Sequence, residues 1–125
     1  MRGTPFDFLT KETIGARIGT AGGYDLSYLR TAAGRELVRV ATLDDPASGR
    51  RMDVVTTSPA IILYTGNYLD GSLKGKGGVA YRKHAGVCLE TGHLPDSVNQ
   101  ANFPSTILHP GQTYRETCVY RFSAR

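Results

Sequence analysis

Turn-forming residues interrupt this sequence about once every dozen positions, a spacing that leaves no room for a long helix. The signals are Thr4-Pro5, Ala21-Gly22-Gly23, Ala33-Gly34, Asp44-Asp45-Pro46, Asn67, Asp70-Gly71, Gly75 to Gly78, Leu94-Pro95-Asp96 and Pro110-Gly111. Between them lie short runs that read as strands. Glu36 to Leu43 alternates loosely, turning Leu37, Val40 or Val38 towards a core. Asp44 to Gly49 then reads as a hairpin loop, in which Pro46 sets the turn and Gly49 is free to take positive φ. Arg50 to Thr57 is the return strand, Ala60 to Thr65 a more apolar one, and Val87 to Thr91 and Thr117 to Phe122 complete the set. Helical periodicity is nowhere sustained, and Leu9 to Ile18 has room for one short turn. Short strands with regular turns and no intervening helices predict an all-β architecture, an antiparallel β-sandwich or part of one. Long connections at Leu69 to His84 and Gly92 to Ser105 leave few strands to support them, which points to missing sheet.

A length of 125 residues fits one domain. Hydrophobic residues at 40% against 21% charged make the composition globular rather than disordered. The net charge of +4 is scattered, so it permits an acidic partner without arguing for one. Arg50-Arg51 is not a basic cluster interleaved with aromatics, so nucleic acid is not an expected partner. No apolar run approaches the roughly 20 residues of a membrane span, and Met1 to Phe8 holds no hydrophobic signal region. A cytoplasmic setting is the expectation. Cys88 and Cys118 set no metal-ligand spacing, and their apolar neighbours predict buried thiols.

Among the carboxylates, Glu90 follows the apolar Val87-Cys88-Leu89, at what reads as a strand end opening into a loop. An acid there can be partly desolvated and so serve as a general base; alternation alone would simply point it to solvent. Asp25 lies behind Gly22-Gly23-Tyr24, where glycines let the backbone approach a ligand; it could bind hydroxyls or cap a turn. His84, His93 and His109 are not spaced as a metal site and read as structural or surface residues. Lys74-Gly75-Lys76-Gly77-Gly78 matches a loose dinucleotide pattern, but no strand precedes it and no helix follows, so it reads as a basic turn.

Taken in order, several segments resemble the aldose 1-epimerase family, also called galactose mutarotases. They are Gly3-Thr4-Pro5-Phe6-Asp7-Phe8, Gly23-Tyr24-Asp25, Tyr64-Thr65-Gly66-Asn67-Tyr68-Leu69-Asp70-Gly71, Lys74 to Gly78, Cys88-Leu89-Glu90-Thr91, Pro95-Asp96-Ser97, Asn102 to Thr106 and His109-Pro110-Gly111. Lys83-His84-Ala85-Gly86 and the stretch from Pro5 to Leu9 look most like plant members. The resemblance implies a galactose mutarotase-like β-sandwich of which residues 1–125 are the C-terminal part. It implies interconversion of the α and β anomers of free aldoses such as glucose and galactose, an isomerase reaction of carbohydrate metabolism. By motif, Glu90 matches the family's base and Asp25 its sugar-binding aspartate. The implied partner is a small aldose, with no metal or organic cofactor and no membrane.

Three departures accompany the resemblance. Leu26 and Ser27 stand where the family usually has His and Asn, and Ile62 stands where it has a substrate-binding Gln. Family members are much longer, and the resemblance assigns their acid histidine to an N-terminal part, in motifs that His84, His93 and His109 do not occupy. The chain alone is therefore expected to be weakly active or inactive, and to be prone to pair through open sheet edges. A non-catalytic carbohydrate-binding or interaction module is the alternative, as is a gene model truncated at Met1.

Overall fold

The computed structural model describes residues 1–31 and 34–124. Ala33, part of one expected turn, lies outside the described residues. The described residues form eight strands: β1 (Asp25–Leu29), β2 (Val38–Asp45), β3 (Arg50–Thr56), β4 (Ala60–Tyr64), β5 (Asp70–Lys74), β6 (Ala80–Arg82), β7 (Cys88–Gly92) and β8 (Cys118–Ala124). They form sheets in the orders β1-β4-β7, β2-β3-β8 and β5-β6. Among the described residues helix is confined to α1 (Ile18–Ala21) and single 3-10 turns at Ile14–Ala16, Lys76–Gly78 and Ser97–Asn99. The all-β expectation is borne out, as are the strands read at β2, β3, β4, β7 and β8. Among the described residues no helix is long and apolar enough to cross a membrane.

The chain divides into two compact units, residues 1–26 with 63–88, and residues 27–62 with 89–125. In the second unit β3 is the central strand, antiparallel to β2 on one side and to β8 on the other. Being covered on both edges, it carries the apolar centre, with Val54, Val55 and Thr56 buried in succession. The β2–β3 hairpin closes through Asp45, whose carboxylate accepts from Ala47 N and the Ser48 hydroxyl, and Gly49 takes φ 70 as expected. The register sets Asp44 opposite Arg51, an ion pair across the strands at 3.7 Å, and Thr42 opposite Asp53, whose carboxylate accepts from the Thr42 hydroxyl. Val40 is an extra residue in β2: the pairing slips between Arg39↔Val55 and Ala41↔Val54, a β-bulge. Val38 and Val40 are half-buried, whereas Leu37 is exposed.

In the first unit the core is aromatic. Tyr24 is fully buried, with the rings of Phe6 and Phe8 edge-on to it at 6.2 and 5.1 Å between centroids. Arg17 stands over the Phe8 ring at 5.4 Å and donates to the backbone carbonyl of Asp7, tying the N-terminal loop to the start of α1. The connection from Leu69 to His84, expected as a long loop, is instead the β5–β6 hairpin, whose mostly polar and exposed residues conceal it from an apolar pattern. The connection after β7 is a loop as expected, with only the turn at Ser97–Asn99.

Hydrogen-bonded carboxylates make this fold acid-sensitive. The Thr42 hydroxyl, then the Arg51 guanidinium, hold Asp53's carboxyl below its ordinary value; the Gly3 and Leu9 amides do the same for Asp7, and Gln100 and Asn99 for Asp96. A carboxyl whose pKa is depressed in the folded state adds stability above its unfolded value of about 3.9 and loses it as pH falls through the folded pKa. Urea midpoints are therefore expected to be flat near neutrality and to drop below about pH 4, with a shallower drop in Asp53→Asn. An unaltered profile in that variant would show that Asp53 carries none of it.

Candidate functional site

Glu90 belongs to the second unit and Asp25 to the first, and each is built locally. Glu90 sits in the middle of β7, not at its end as expected. Strand alternation turns the half-buried Leu89 inward and places Cys88 and Glu90 on the opposite, exposed face. The described residues thus leave Glu90 exposed rather than desolvating it. The same alternation corrects the reading of the cysteines: Cys88 and Cys118 are free thiols and both exposed.

Tyr120, on β8, is the neighbour that the sequence did not single out. Its hydroxyl donates to the carbonyl of Leu89 at 2.9 Å, anchoring β7 at the residue before Glu90. Partial burial first, then the Cys118 thiol and the Glu90 carboxylate, push the Tyr120 phenol above its ordinary value. Removing the charge in Glu90→Gln is expected to lower the Tyr120 pKa towards its unperturbed value of about 10, read by pH titration of the ring resonances. An unshifted titration would mean the two groups are not electrostatically coupled. Beyond β7, His93 Nε2 lies 3.8 Å from Glu116 Oε1, while Glu116 Oε2 accepts from the hydroxyls of Thr57 (2.9 Å) and Ser58 (3.1 Å). This ties the loop that leaves β7 to the turn between β3 and β4.

Asp25 is the first residue of β1 and is exposed, immediately after the fully buried Tyr24. The backbone of Tyr24 is held by a closed set of hydrogen bonds. Tyr24 N donates to Thr65 Oγ1 (2.9 Å), Thr65 Oγ1 donates to Asn67 Oδ1 (2.8 Å), and Asn67 Nδ2 donates back to Tyr24 O (2.9 Å). Thr65 N adds a further bond to Tyr24 O at 3.1 Å. His84 grips the same segment. Its Nδ1 lies 2.9 Å from Thr65 O, which can only accept, so Nδ1 carries the proton; its backbone N donates to Gly66 O. His84 thus has a structural role, as expected of it, and it also lines a cavity of about 250 Å³ with Ile14, Ile18, Thr65, Ala85, Gly86 and Val87. Among the described residues no group of three or more His, Cys, Asp or Glu could hold a metal ion.

The aldose 1-epimerase family model matches residues 1–121. The chain belongs to the aldose 1-epimerase family. Relatives in this family include mouse galactose mutarotase at 42% identity and the human protein of that name at 41%, each match covering 98% of this chain and 36% of the relative. The aldose 1-epimerase of Escherichia coli strain K12 is 32% identical over 98% of this chain and 37% of its own length. The chain therefore spans little more than a third of the curated relatives that it matches. A solved GalM/aldose epimerase homologue from C. elegans superposes with a TM-score of 0.81 at 23% identity, covering 98% of this chain and 38% of that one. That likeness shows that this epimerase-family chain shares the fold of the matched 38% of the homologue over 98% of its own length, in line with the expected partial sandwich.

Proposed function

We propose that residues 1–125 are the C-terminal part of an aldose 1-epimerase that interconverts the α and β anomers of aldoses such as glucose and galactose. The observation that carries this reading is the family match from residue 1 to residue 121, which takes in Glu90 within Cys88–Thr91 and Asp25 within Gly23–Asp25. In the proposed reaction Glu90 takes the proton from the anomeric hydroxyl as the bond from C1 to the ring oxygen breaks, and an acid protonates that oxygen. The exposed aldehyde rotates about its bond to C2. Closure on the other face, with the proton returned, gives the other anomer. Asp25 accepts hydrogen bonds from the sugar's remaining hydroxyls, which orients the bound ring. The chemistry calls for one base, one acid and hydroxyl acceptors, and a cytoplasmic setting belongs to the same reading.

Polarimetry on freshly dissolved α-D-glucose and α-D-galactose tests this. Slow acceleration that vanishes in Glu90→Gln supports the reading; acceleration untouched by that substitution overturns Glu90 as the base. A non-catalytic sugar-binding module is the second reading. Ile62 favours it, because an isoleucine cannot donate to a hydroxyl where the family resemblance sets a glutamine. Sugar binding with no acceleration would select it.

A further inference from the structure

We infer that Thr65, Asn67 and His84 are positioning residues that fix the direction in which the Asp25 carboxylate leaves the chain; this rests on the proposed role of Asp25 as a hydroxyl acceptor. A peptide unit is planar, so the group of atoms containing Tyr24 O also contains Asp25 N and Cα. Two donors, Asn67 Nδ2 at 2.9 Å and Thr65 N at 3.1 Å, converge on Tyr24 O, and Tyr24 N is held by Thr65 Oγ1. With both faces of Tyr24's backbone occupied, the Tyr24–Asp25 plane has one orientation, and β1 starts from it. The side chains complete the circuit through the bond from Thr65 Oγ1 to Asn67 Oδ1, and Tyr24 O, which can only accept, settles which way the Asn67 amide faces.

His84 secures the other side of the same segment. Thr65 is 2% exposed, and its carbonyl and that of Gly66 are both taken by His84. To do so His84 adopts φ 64, a left-handed conformation rare for a residue with a Cβ. Such strain persists where the surroundings over-determine it, and it gathers at positions that serve a site. On the other side Gly23 leaves no space: a Cβ there would fall 2.1 Å from Asn67 Oδ1. The circuit thus joins parts of the chain 41 and 43 residues apart around a single peptide plane.

The test uses the whole chain and two near-isosteric changes at one buried site. Thr65→Val removes the hydroxyl but keeps the shape; Thr65→Ser keeps the hydroxyl. NMR follows amide exchange at Tyr24, the amide shift of Asp25 and the titration of α-D-galactose, with Asp25→Asn and His84→Gln alongside. Thr65→Val is expected to speed Tyr24 exchange and weaken sugar binding, each by about tenfold, with Thr65→Ser restoring both. His84→Gln, which displaces the ring donor from Thr65 O, is expected to shift binding in the same direction by about threefold. Full affinity in Thr65→Val beside lost affinity in Asp25→Asn overturns the inference and leaves the role of Asp25 standing. Should Asp25→Asn bind sugar as the parent does, or the parent bind none, the role of Asp25 falls. The Asp25 amide then decides the positioning: displaced in Thr65→Val and restored in Thr65→Ser sustains it, and unmoved overturns it.

Discussion

In the Glu90→Gln variant the chain is expected to lose its increment over the spontaneous rate of anomer exchange while keeping its affinity for sugar. Glutamine matches glutamate in shape and still exchanges hydrogen bonds, but it cannot take up a proton at neutral pH. A positioned base contributes about 10²- to 10⁴-fold, and that factor is what the substitution removes. The parent chain is itself expected to be slow. In the proposed reaction Glu90 would act without the proton donor that the family resemblance assigns to a histidine of an N-terminal part, and lacking a positioned acid forfeits a factor of similar size. Polarimetry at high protein concentration, with galactose titrated by NMR in parallel, separates the two quantities. An increment that survives in Glu90→Gln removes Glu90 from the mechanism. Equal loss of binding and rate would make Glu90 a sugar contact rather than a base.

The largest loss of stability is expected from Gly23→Ala. Gly23 has φ 96, which an L residue rarely adopts, and the added Cβ would lie 2.1 Å from Asn67 Oδ1 and 2.5 Å from Asn67 Cγ. Asn67 cannot swing aside cheaply, because it bridges the Thr65 hydroxyl and the Tyr24 carbonyl. Either the backbone shifts or two buried polar groups lose their partners, so about 3 kcal/mol is expected. Gly75→Ala is the control. Its Cβ would fall 1.9 Å from Tyr81 Oη, an apparently worse clash. Yet Gly75 has φ −89, and Tyr81 is 45% exposed, so the phenol is free to turn outward. A loss below about 1 kcal/mol is expected there. Urea denaturation of the two variants checks the contrast, and equal losses would show that overlap alone, not the freedom of the neighbour to move, sets the cost.

The strands that could be read in advance are those with an apolar run to bury. Ala60-Ile61-Ile62-Leu63-Tyr64 became β4, and Met52 to Thr56 became the inner part of β3, which has a neighbour on each side. The missed strands lack that signal. In β5 and β6 nearly every residue is exposed, and Gly71 has φ 87 within the strand, so the hairpin rests on its backbone bonds. β1 shows no alternation at all, with Leu26, Ser27 and Tyr28 half-buried in succession. Flanking valine and leucine suggested buried thiols, but flanking residues in a strand lie on the opposite face, which is why Cys88 is exposed beside half-buried Leu89. Glu90 and Asp25 were legible as candidates from their motifs. The hydroxyl of Tyr120 on Leu89 and the circuit of Thr65 and Asn67 around Tyr24 were not, since each joins residues more than 30 positions apart that no local pattern links.

The outward-facing thiol of Cys88 gives the chain a built-in attachment point for a reporter. It stands two positions before Glu90 on the same face of β7. A small fluorophore or fluorinated tag coupled there would sense sugar arriving beside the carboxylate, in a chain whose only other thiol is at Cys118. Cys118→Ser would make the labelling unique, so occupancy of the face could be followed in Glu90→Gln, where no turnover is expected.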